Sequence, residues 1–317
     1  MRVTVAVVQA EVAADLPSGL QRTNELALQA AARGAQLIAF PETWLPGYPA
    51  WLDVARDAAL WDHAPVKEAY ARMMENSVSV PGPALDTLRD TARTAKATLV
   101  IGLIERVASG RGQGTLYNTL VTLGPDGRVL NHHRKLVPTY TERLVWGPGD
   151  ADGLRAVDTP AGRVGSLVCW EHWMPLARQV LHESGEDIHV ATWPTVKDTH
   201  QIASRHYAFE GRCFVLASGS LMRASALPQG LELLPELQGN PDALVMRGGS
   251  AIIGPDGQYV VEPVFDRPEI LVAELDLRRN LQERMTLDVT GHYHRQELLS
   301  LDVRRTGRAA GEEGHQA

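Results

Sequence analysis

The sequence has only two cysteines among its 317 residues, Cys169 and Cys213. Two cysteines cannot build the disulfide framework of a small secreted domain. Neither belongs to a C-x-x-C pair, and no H-E-x-x-H motif occurs, so no metal site is expected. We expect both to be free thiols in a protein of the reducing cytoplasm.

Long apolar runs and an excess of positive charge are also missing. No stretch approaches the ~18 consecutive apolar residues of a transmembrane helix, and Glu11 interrupts the apolar start in a way that a signal peptide would not. The net charge is −7, with Lys and Arg scattered along the chain. Because nucleic-acid binding needs a concentrated cationic surface, neither a membrane nor nucleic acid is an expected partner.

What the sequence does contain is an alternation of strand-like and helix-like segments. Apolar runs with many β-branched residues predict buried strands at 3–10, 36–40 and 98–106. Leu and Ala at helical spacing predict helices at 20–35 and 84–97. Strands and helices in this order are typical of an α/β protein in which helices cover the outer faces of sheets.

Turn sequences and composition define the remaining organisation. Two Gly-Pro-Asp-Gly turns, at 124–127 and 254–257, each join two strand-like segments. No linker composition divides the chain, which favours a single domain over 1–303. We expect an irregular surface loop at 224–247 and a disordered tail at 304–317, where the sequence is polar and rich in Gly and Ala.

The first candidate site is LIAFPETWLPGYP (37–49), in which Pro41 ends a strand and Glu42 is the next charged residue. Aromatic and proline residues give this glutamate a stiff, apolar setting. Desolvation disfavours an ionised carboxylate and moves its pKa towards the range of a general base. A lone Glu at a strand end is more often an ordinary surface residue, so this segment alone decides nothing.

The second candidate site is HHRKLVPTYTER (132–143), which holds His132, His133, Arg134, Lys135 and Glu142. A charge cluster after a hairpin is usually a solvated surface. Lys135, however, stands directly before a loop, where a positioned ammonium could stabilise a thiolate or a developing oxyanion.

The third candidate site is RVGSLVCWEHWMP (163–175), in which an apolar strand delivers Cys169 at its end. A buried cysteine is usually structural, and Cys213, which begins an apolar strand, fits that role. The end of a strand instead favours a displayed nucleophile. Because a thiol with a pKa of about 8.5 is mostly protonated at neutral pH, Glu42 as base and Lys135 as cation would complete a triad that needs neither histidine nor metal.

In order and spacing, FPETWLPGYP, HRKLVPTYTER and CWEHWMP resemble the three catalytic segments of the nitrilase family. Four further segments are similar to segments of true nitrilases, the nitrile-hydrolysing branch of the carbon-nitrogen hydrolase superfamily. They are HVATWP (189–194), EGRCFVLASG (210–219), GGSAIIGPDG (248–257) and DVTGHYHRQELLSLDV (288–303). The resemblance therefore extends from about residue 3 to residue 303.

The resemblance implies a four-layer α-β-β-α sandwich, no cofactor, and association through the helical layer into homodimers or higher spiral homo-oligomers. By motif position it implies that Cys169 is the nucleophile, Glu42 the general base and Lys135 the cationic stabiliser. Glu142 matches a second glutamate that lies near the lysine and helps to position the substrate or the other catalytic groups.

The substrate pocket is expected to include Trp170, Tyr48 and Trp193, with His133 and His172 as further candidates. The sequence departs from many nitrilases at His172, where they have Asn. Histidine is found at this position in members that resemble arylacetonitrile- and cyanide-hydrolysing enzymes. His172 is therefore expected either to pack in the core or to act on the substrate side.

The predicted reaction is hydrolysis of a small nitrile to a carboxylic acid and ammonia through a thioimidate and a thioester on Cys169. An amidase or N-carbamoyl amide hydrolase of the same superfamily is the nearest alternative, although Cys-Trp-Glu at 169–171 resembles the nitrilase branch more closely. A cyanide-hydrolysing enzyme and a non-catalytic oligomer are further alternatives. A papain-like hydrolase fits poorly because Cys169 lies in mid-chain.

Overall fold

The computed structural model describes residues 1–307, whose strands and helices are numbered here in chain order. The strands are β1 (Arg2–Gln9), β2 (Leu37–Ala39), β3 (Val78–Ser79), β4 (Thr98–Arg106), β5 (Leu116–Leu123), β6 (Val129–Arg134), β7 (Val157–Thr159), β8 (Gly162–Val168), β9 (Ile188–Thr192), β10 (Phe214–Ser218), β11 (Leu221–Arg223), β12 (Leu244–Ile253), β13 (Tyr259–Phe265) and β14 (Glu269–Asp276). The helices are α1 (Leu16–Ala32), α2 (Trp51–Val54), α3 (Ala64–Glu75), α4 (Pro83–Ala95), α5 (Pro175–Glu183), α6 (Asp198–Gly211) and α7 (Arg278–Glu283).

The strands form two seven-stranded mixed sheets. The first has the order β14-β1-β2-β4-β5-β6, with β3 beside β4, and the second has the order β11-β12-β10-β9-β8-β7, with β13 beside β12. Each contains a parallel centre, β1-β2-β4 in one and β8-β9-β10 in the other, flanked by antiparallel strands. Strand β6 runs in the same direction as β2 and β4, because two antiparallel pairings separate it from β4.

Alternate side chains of the central strands face different layers. In β1, Val5 and Val7 lie between the sheets with Val190 and Leu216, whereas Ala6 packs on the opposite side among residues of α1 and α4. A strand buried on both faces has no polar side, which explains why its sequence is a continuous apolar run.

The helices complete the layers. Ala27 of α1 and Leu88 of α4 pack against the outer face of the first sheet, and Leu181 of α5 and Tyr207 of α6 pack against the outer face of the second. The order helix, sheet, sheet, helix confirms the predicted four-layer α-β-β-α sandwich. The described residues contain no helix that is both long and apolar enough to cross a membrane.

Some predicted boundaries are wrong. Helix α1 begins at Leu16 instead of residue 20, because the Asp15 side chain accepts a hydrogen bond from the Ser18 N–H at 2.8 Å and caps the helix earlier. The segment 224–247, predicted to be irregular throughout, contains two short 3-10 turns and joins strand β12 at Leu244. Helix α3 was not predicted.

The tail predicted to be disordered, 304–317, is described only as far as residue 307. In that part, the Arg305 guanidinium donates to the carbonyl of Ala151 at 2.6 Å, and the Thr306 hydroxyl donates to Asp152 at 2.5 Å. Residues 308–317 lie outside the described part of the chain. The predicted domain limit at residue 303 stays a prediction.

A buried carboxylate joins the strands that end near the candidate site. Glu105 of β4 accepts hydrogen bonds from Thr119 and His132, both at 2.8 Å, and forms an ion pair with Arg134. Burial raises the pKa of Glu105, but His132 and Arg134 outweigh it and lower the pKa to about 2. These contacts hold β4, β5 and β6 together.

We predict that Glu105→Gln lowers the free energy of unfolding at pH 7 by roughly 3 kcal/mol, the linkage value of a carboxyl whose pKa falls from 4.5 to about 2. Because the pKa is depressed in the folded state, this stabilisation is present above pH 4.5 and is lost as the pH falls towards 2. Urea unfolding between pH 3 and pH 7 measures the effect. Glu274→Gln, which removes an exposed partner of Arg2, is the control and should change the stability little.

Candidate active site

Glu42 lies in a tight turn that is pressed onto the first sheet. The chain leaves β2 at Ala39 and passes directly over Gly102 of β4, and Thr43 takes a positive φ of 43°. A Cβ atom on Gly102 would lie 2.3 Å from the Pro41 carbonyl oxygen and 2.4 Å from the Thr43 nitrogen. Only glycine therefore leaves room for this turn, which buries the Glu42 side chain completely.

The two carboxylate oxygens of Glu42 differ in their hydrogen bonding. Oε1 accepts a hydrogen bond from Asn118 Nδ2 at 2.6 Å and lies 3.4 Å from Lys135 Nζ. Within residues 1–307, Oε2 has no hydrogen-bond partner. Burial raises the pKa of Glu42 to about 7, because it outweighs the opposing effects of Lys135 and Asn118 and is reinforced by Glu142. Glu42 is thus a carboxylate poised to accept a proton near neutral pH.

Lys135 follows a strand whose charged side chains alternate between two directions. His132 and Arg134 of β6 both contact Glu105, whereas His133 and Lys135 point the other way, as the two-residue period of a strand requires. The segment is therefore not a solvated charge cluster. Lys135 is only 1% exposed, and its ammonium reaches the interior of the site.

The ammonium of Lys135 lies between two buried carboxylates. Its Nζ donates to Glu142 Oε2 at 2.7 Å and to Glu42 Oε1 at 3.4 Å. Burial lowers the pKa of Lys135, but Glu42, Cys169 and Glu142 outweigh it and raise the pKa well above its ordinary value. Lys135 is therefore a permanent cation.

Glu142 is fixed on both of its oxygens. It lies in the 3-10 turn Tyr140–Leu144, where Oε2 accepts from the Thr139 N–H at 2.8 Å as well as from Lys135, and Oε1 accepts from the Tyr48 hydroxyl at 3.0 Å. Because both carboxylate oxygens of Glu142 accept hydrogen bonds, this side chain is suited to hold Lys135 in place.

Cys169 is the first residue after β8 and begins the 3-10 turn Cys169–Trp173. Its φ of 51° is in the left-handed region, so the chain turns sharply and displays the thiol beyond the sheet. Sγ and one oxygen each of Glu42 and Glu142 all lie within 4.8 Å of one another. The structure thus brings together the four residues predicted to be catalytic.

The thiol of Cys169 is neutral in the resting site. Burial raises its pKa well above the ordinary value, and Glu42 raises it further, while Lys135 and a hydrogen bond from the Trp170 N–H lower it. Two carboxylates and a thiol at this spacing would suit a metal ion. Here the Lys135 ammonium donates to both carboxylates, so the group fits a lysine cation and does not fit a metal.

A cavity of about 400 Å³ opens above these groups, within the range of small-molecule sites. Its lining includes Cys169, Glu142 and three aromatic side chains, those of Tyr48, Tyr140 and Trp170. Trp170 is 52% exposed and stands at the mouth. Tyr48 and Trp170 therefore lie where the sequence predicted pocket residues.

Three further candidates, Trp193, His172 and His133, are not among the described residues that line this cavity. Trp193 is completely buried and is stacked against His172, with ring centroids 4.7 Å apart, so it cannot contact a substrate. His172 is turned under the Cys169 turn, where Nδ1 lies 2.6 Å from the Cys169 carbonyl oxygen. His133 is buried against Glu171. Trp193 and His172 point towards helix α6, and His133 points from β6 towards Glu171. For His172 this is the core packing that the sequence left open.

Two polar residues of the site were not predicted to act in it. Asn118 interrupts the apolar run of β5 and binds Glu42 directly. Glu171 accepts from the Leu136 N–H at 2.8 Å, from the Val168 N–H at 2.7 Å and from His133. Because Leu136 and Val168 adjoin the catalytic lysine and cysteine in sequence, Glu171 joins the two sheets at the site.

Comparison with known proteins agrees with this geometry. The family model described as carbon-nitrogen hydrolase matches residues 4–281. A bifunctional nitrilase/nitrile hydratase of Lupinus angustifolius is 36% identical, covering 95% of this chain and 86% of that protein. An aliphatic nitrilase of Sinorhizobium fredii is also 36% identical, covering 94% of each chain. The crystal structure of a carbon-nitrogen hydrolase from Helicobacter pylori has a TM-score of 0.65 at 20% identity, covering 90% of this chain and 92% of that one.

We predict that alkylation of Cys169 by iodoacetamide follows the ionisation of Glu42. Below pH 7 the carboxyl is protonated and cannot accept the thiol proton, so the rate should fall by about tenfold per pH unit. Asn118→Leu removes a hydrogen bond that favours the ionised form, and it should move the rise in rate to higher pH by roughly one unit. Mass spectrometry of the peptide containing Cys169 measures the rate.

Asn131→Leu is the matched control, because Asn131 is also buried but donates to the Gly153 carbonyl and to no carboxylate. It should leave the pH dependence unchanged. A wild-type rate that is constant between pH 5 and pH 8 would contradict the assignment of Glu42 as the base.

Proposed function

This chain belongs to the carbon-nitrogen hydrolase family, and from that premise we propose that it hydrolyses a nitrile to the carboxylic acid and ammonia through a covalent intermediate on Cys169. The observation that carries the proposal is the meeting of Cys169, Glu42 and Lys135 below a cavity, in a chain whose relatives are nitrilases. The reaction converts R–C≡N and two water molecules into R–COOH and NH₃.

The first step is addition of the thiol to the nitrile. Glu42 accepts the thiol proton while sulfur attacks the nitrile carbon, and then passes this proton to the nitrile nitrogen to give a thioimidate, R–C(=NH)–S–Cys169. The raised pKa of the thiol means that deprotonation accompanies attack, so the base must lie next to the sulfur. The unbonded Oε2 of Glu42 supports this role.

Water completes the reaction in two further steps. Glu42 removes a proton from the first water as it adds to the thioimidate carbon, and the tetrahedral intermediate that forms expels ammonia to leave a thioester. A second water, activated in the same way, releases the acid and restores the thiol. Lys135 and the Trp170 N–H stabilise the negative charge that develops in these steps.

The relatives with higher sequence identity favour one of the reactions that this family catalyses. An amidase would use the same three side chains on an amide carbonyl, so their geometry alone does not distinguish the two reactions. The two curated relatives at 36% identity are both named for action on nitriles, which favours a nitrile substrate.

The tetrahedral intermediate has a second possible outcome. Expulsion of sulfur instead of ammonia would release the amide, R–CONH₂, which is the product that the name nitrile hydratase describes. Because one relative carries both names, acid and amide should both be quantified in any assay.

We further propose that the enzyme works in the cytoplasm as a homo-oligomer. A nucleophile that is a free thiol needs a reducing environment. Large apolar side chains are exposed on the outer helices, among them Leu176 of α5 and Ile202 and Phe209 of α6. Such a surface supports contact between copies of the chain through the helical layer.

We predict that Cys169→Ala reduces nitrile turnover by more than about 10⁴-fold, Glu42→Gln by about 10³-fold and Lys135→Met by at least about 10²-fold. Release of ammonia from aliphatic, aromatic and arylacetonitriles, each paired with its amide, measures the activity. Circular dichroism checks that each variant is folded.

Two variants serve as controls. Cys213→Ala removes the other buried thiol, and Lys197→Met removes an ammonium from the cavity mouth; both should retain most of the turnover. Full nitrile hydrolysis by Cys169→Ala would refute the mechanism, and ammonia release from amides alone would make the protein an amide hydrolase.

For the oligomer, we predict that sedimentation velocity gives a multiple of the 34.6 kDa chain mass. Leu176→Glu should shift the protein towards the monomer, because it places a charge in an apolar contact. Leu281→Glu changes a leucine of similar exposure on α7 and should have no effect. A wild-type monomer would contradict the proposal.

A further inference from the structure

A chain of buried polar groups lies behind Cys169, on the side away from the cavity. His172 Nδ1 lies 2.6 Å from the Cys169 carbonyl oxygen, and His172 Nε2 lies 3.0 Å from His189 Nε2. His189 Nδ1 in turn lies 2.6 Å from Glu186 Oε1. All three side chains are buried between the second sheet and helices α5 and α6, and none is needed for the reaction as described above.

Glu186 is ionised in this chain of polar groups. Its Oε2 accepts a hydrogen bond from the Tyr207 hydroxyl at 2.6 Å. Burial raises the pKa of Glu186, but His189 and His182 outweigh it and lower the pKa to about 2. Its Oε1 therefore accepts a hydrogen bond from His189.

The hydrogen bonds fix the number of protons on the two imidazoles. A carbonyl and a carboxylate only accept, so Nδ1 of His172 and Nδ1 of His189 must each carry a hydrogen. The contact between the two Nε2 atoms needs one further hydrogen. Three protons on four nitrogens give the pair of rings one positive charge.

Burial, with His189 and His200 adding to it, lowers the pKa of His172 well below its ordinary value, and this outweighs the effects of the Cys169 carbonyl and Glu186. His189, in contrast, makes a direct ion pair with Glu186. The hydrogen between the two Nε2 atoms is therefore not carried by His172, whose Nδ1–H donates to the Cys169 carbonyl.

Other titratable groups surround this pair. His182 lies 3.7 Å from Glu186 on the side away from His189, and it also contacts Glu210, which pairs with Arg178 near the surface. The ring of Tyr207 is stacked on His189 with centroids 3.7 Å apart. The chain of contacts from Cys169 therefore ends in an ion pair and not in water.

The chain of polar groups ends at the Cys169–Trp170 peptide, which lies next to the reacting thiol. Its carbonyl belongs to Cys169 and accepts from His172, while its N–H belongs to Trp170 and lowers the pKa of the Cys169 thiol. A hydrogen bond to a peptide carbonyl polarises the peptide and strengthens its N–H as a donor. It also holds the peptide plane in one orientation, despite the left-handed φ of Cys169.

We propose that Glu186, His189 and His172 are positioning residues that orient and polarise the Cys169–Trp170 peptide, so that its N–H is preorganised for negative charge on the sulfur and on the reacting substrate. The positive charge shared by the pair of rings strengthens each hydrogen bond towards the peptide. This inference rests on the proposed nitrile hydrolysis for its catalytic consequence, and on the buried contacts alone for its protonation pattern.

Nitrogen-15 NMR of histidine-labelled wild-type protein tests the pattern without any substrate. We expect a proton on Nδ1 of both His172 and His189, with the signals assigned by their loss in His172→Asn and His189→Gln. An unprotonated Nδ1 on either ring would overturn the proposal. Because this measurement needs no turnover, its outcome is independent of whether the protein hydrolyses nitriles.

Kinetics of folded variants test the effect on the thiol. His189→Gln and Glu186→Gln should lower kcat by about tenfold with KM changed less than twofold, and should lower the rate of Cys169 alkylation in parallel. His172→Asn retains a donor for the carbonyl and should keep more activity than His172→Leu. Val180→Ala, a buried apolar substitution in the same layer, controls for loss of stability. Wild-type kcat and alkylation rates in His189→Gln would refute the positioning role.

Discussion

The site depends on one buried ammonium. Lys135 lies between the carboxylates of Glu42 and Glu142, and none of the three would be tolerated alone in so dry a place, because an unpaired buried charge costs several kcal/mol. Burial keeps the neighbouring thiol of Cys169 neutral and raises the pKa of Glu42 to about 7, while Lys135 opposes both effects. The same burial therefore protects the nucleophile at rest and prepares its base.

The fold supplies this group from both sheets. Glu42 and Lys135 follow parallel-running strands of the first sheet, whereas Cys169 follows β8 of the second. Glu171 fixes their relative position, because its carboxylate accepts from the backbone next to both the lysine and the cysteine. Glu171 thus holds Cys169 and Lys135 in place without contacting the substrate. The shape and the charge of the site follow from the way the two sheets stack.

The alternation of apolar runs and helical segments predicted sheets covered by helices, whereas the four layers and the role of Glu142 were implied by the resemblance to nitrilases. Glu42, Lys135 and Cys169 could be proposed from the residues because each comes just after a strand end. Trp193 and His133 were placed in the pocket by residue type, which does not say in which direction a side chain points, and His172 was left open between the core and the substrate side for the same reason. Asn118 was missed because a single amide within an apolar strand has no pattern until its partner, Glu42, is brought beside it by pairing across the sheet. The direction of a side chain, and the pairing of residues that are distant in sequence, are set only when the chain packs.

Gly102 contributes no functional group, yet the backbone around Glu42 occupies the space that any side chain there would need. An alanine at this position would push the acid away from the sulfur while leaving every reactive residue in the sequence intact. Proteins of this architecture that keep all the reactive residues but lack this glycine are thus candidates for inactive homologues. A single added methyl group, far from the nucleophile in sequence, is enough to abolish the activity.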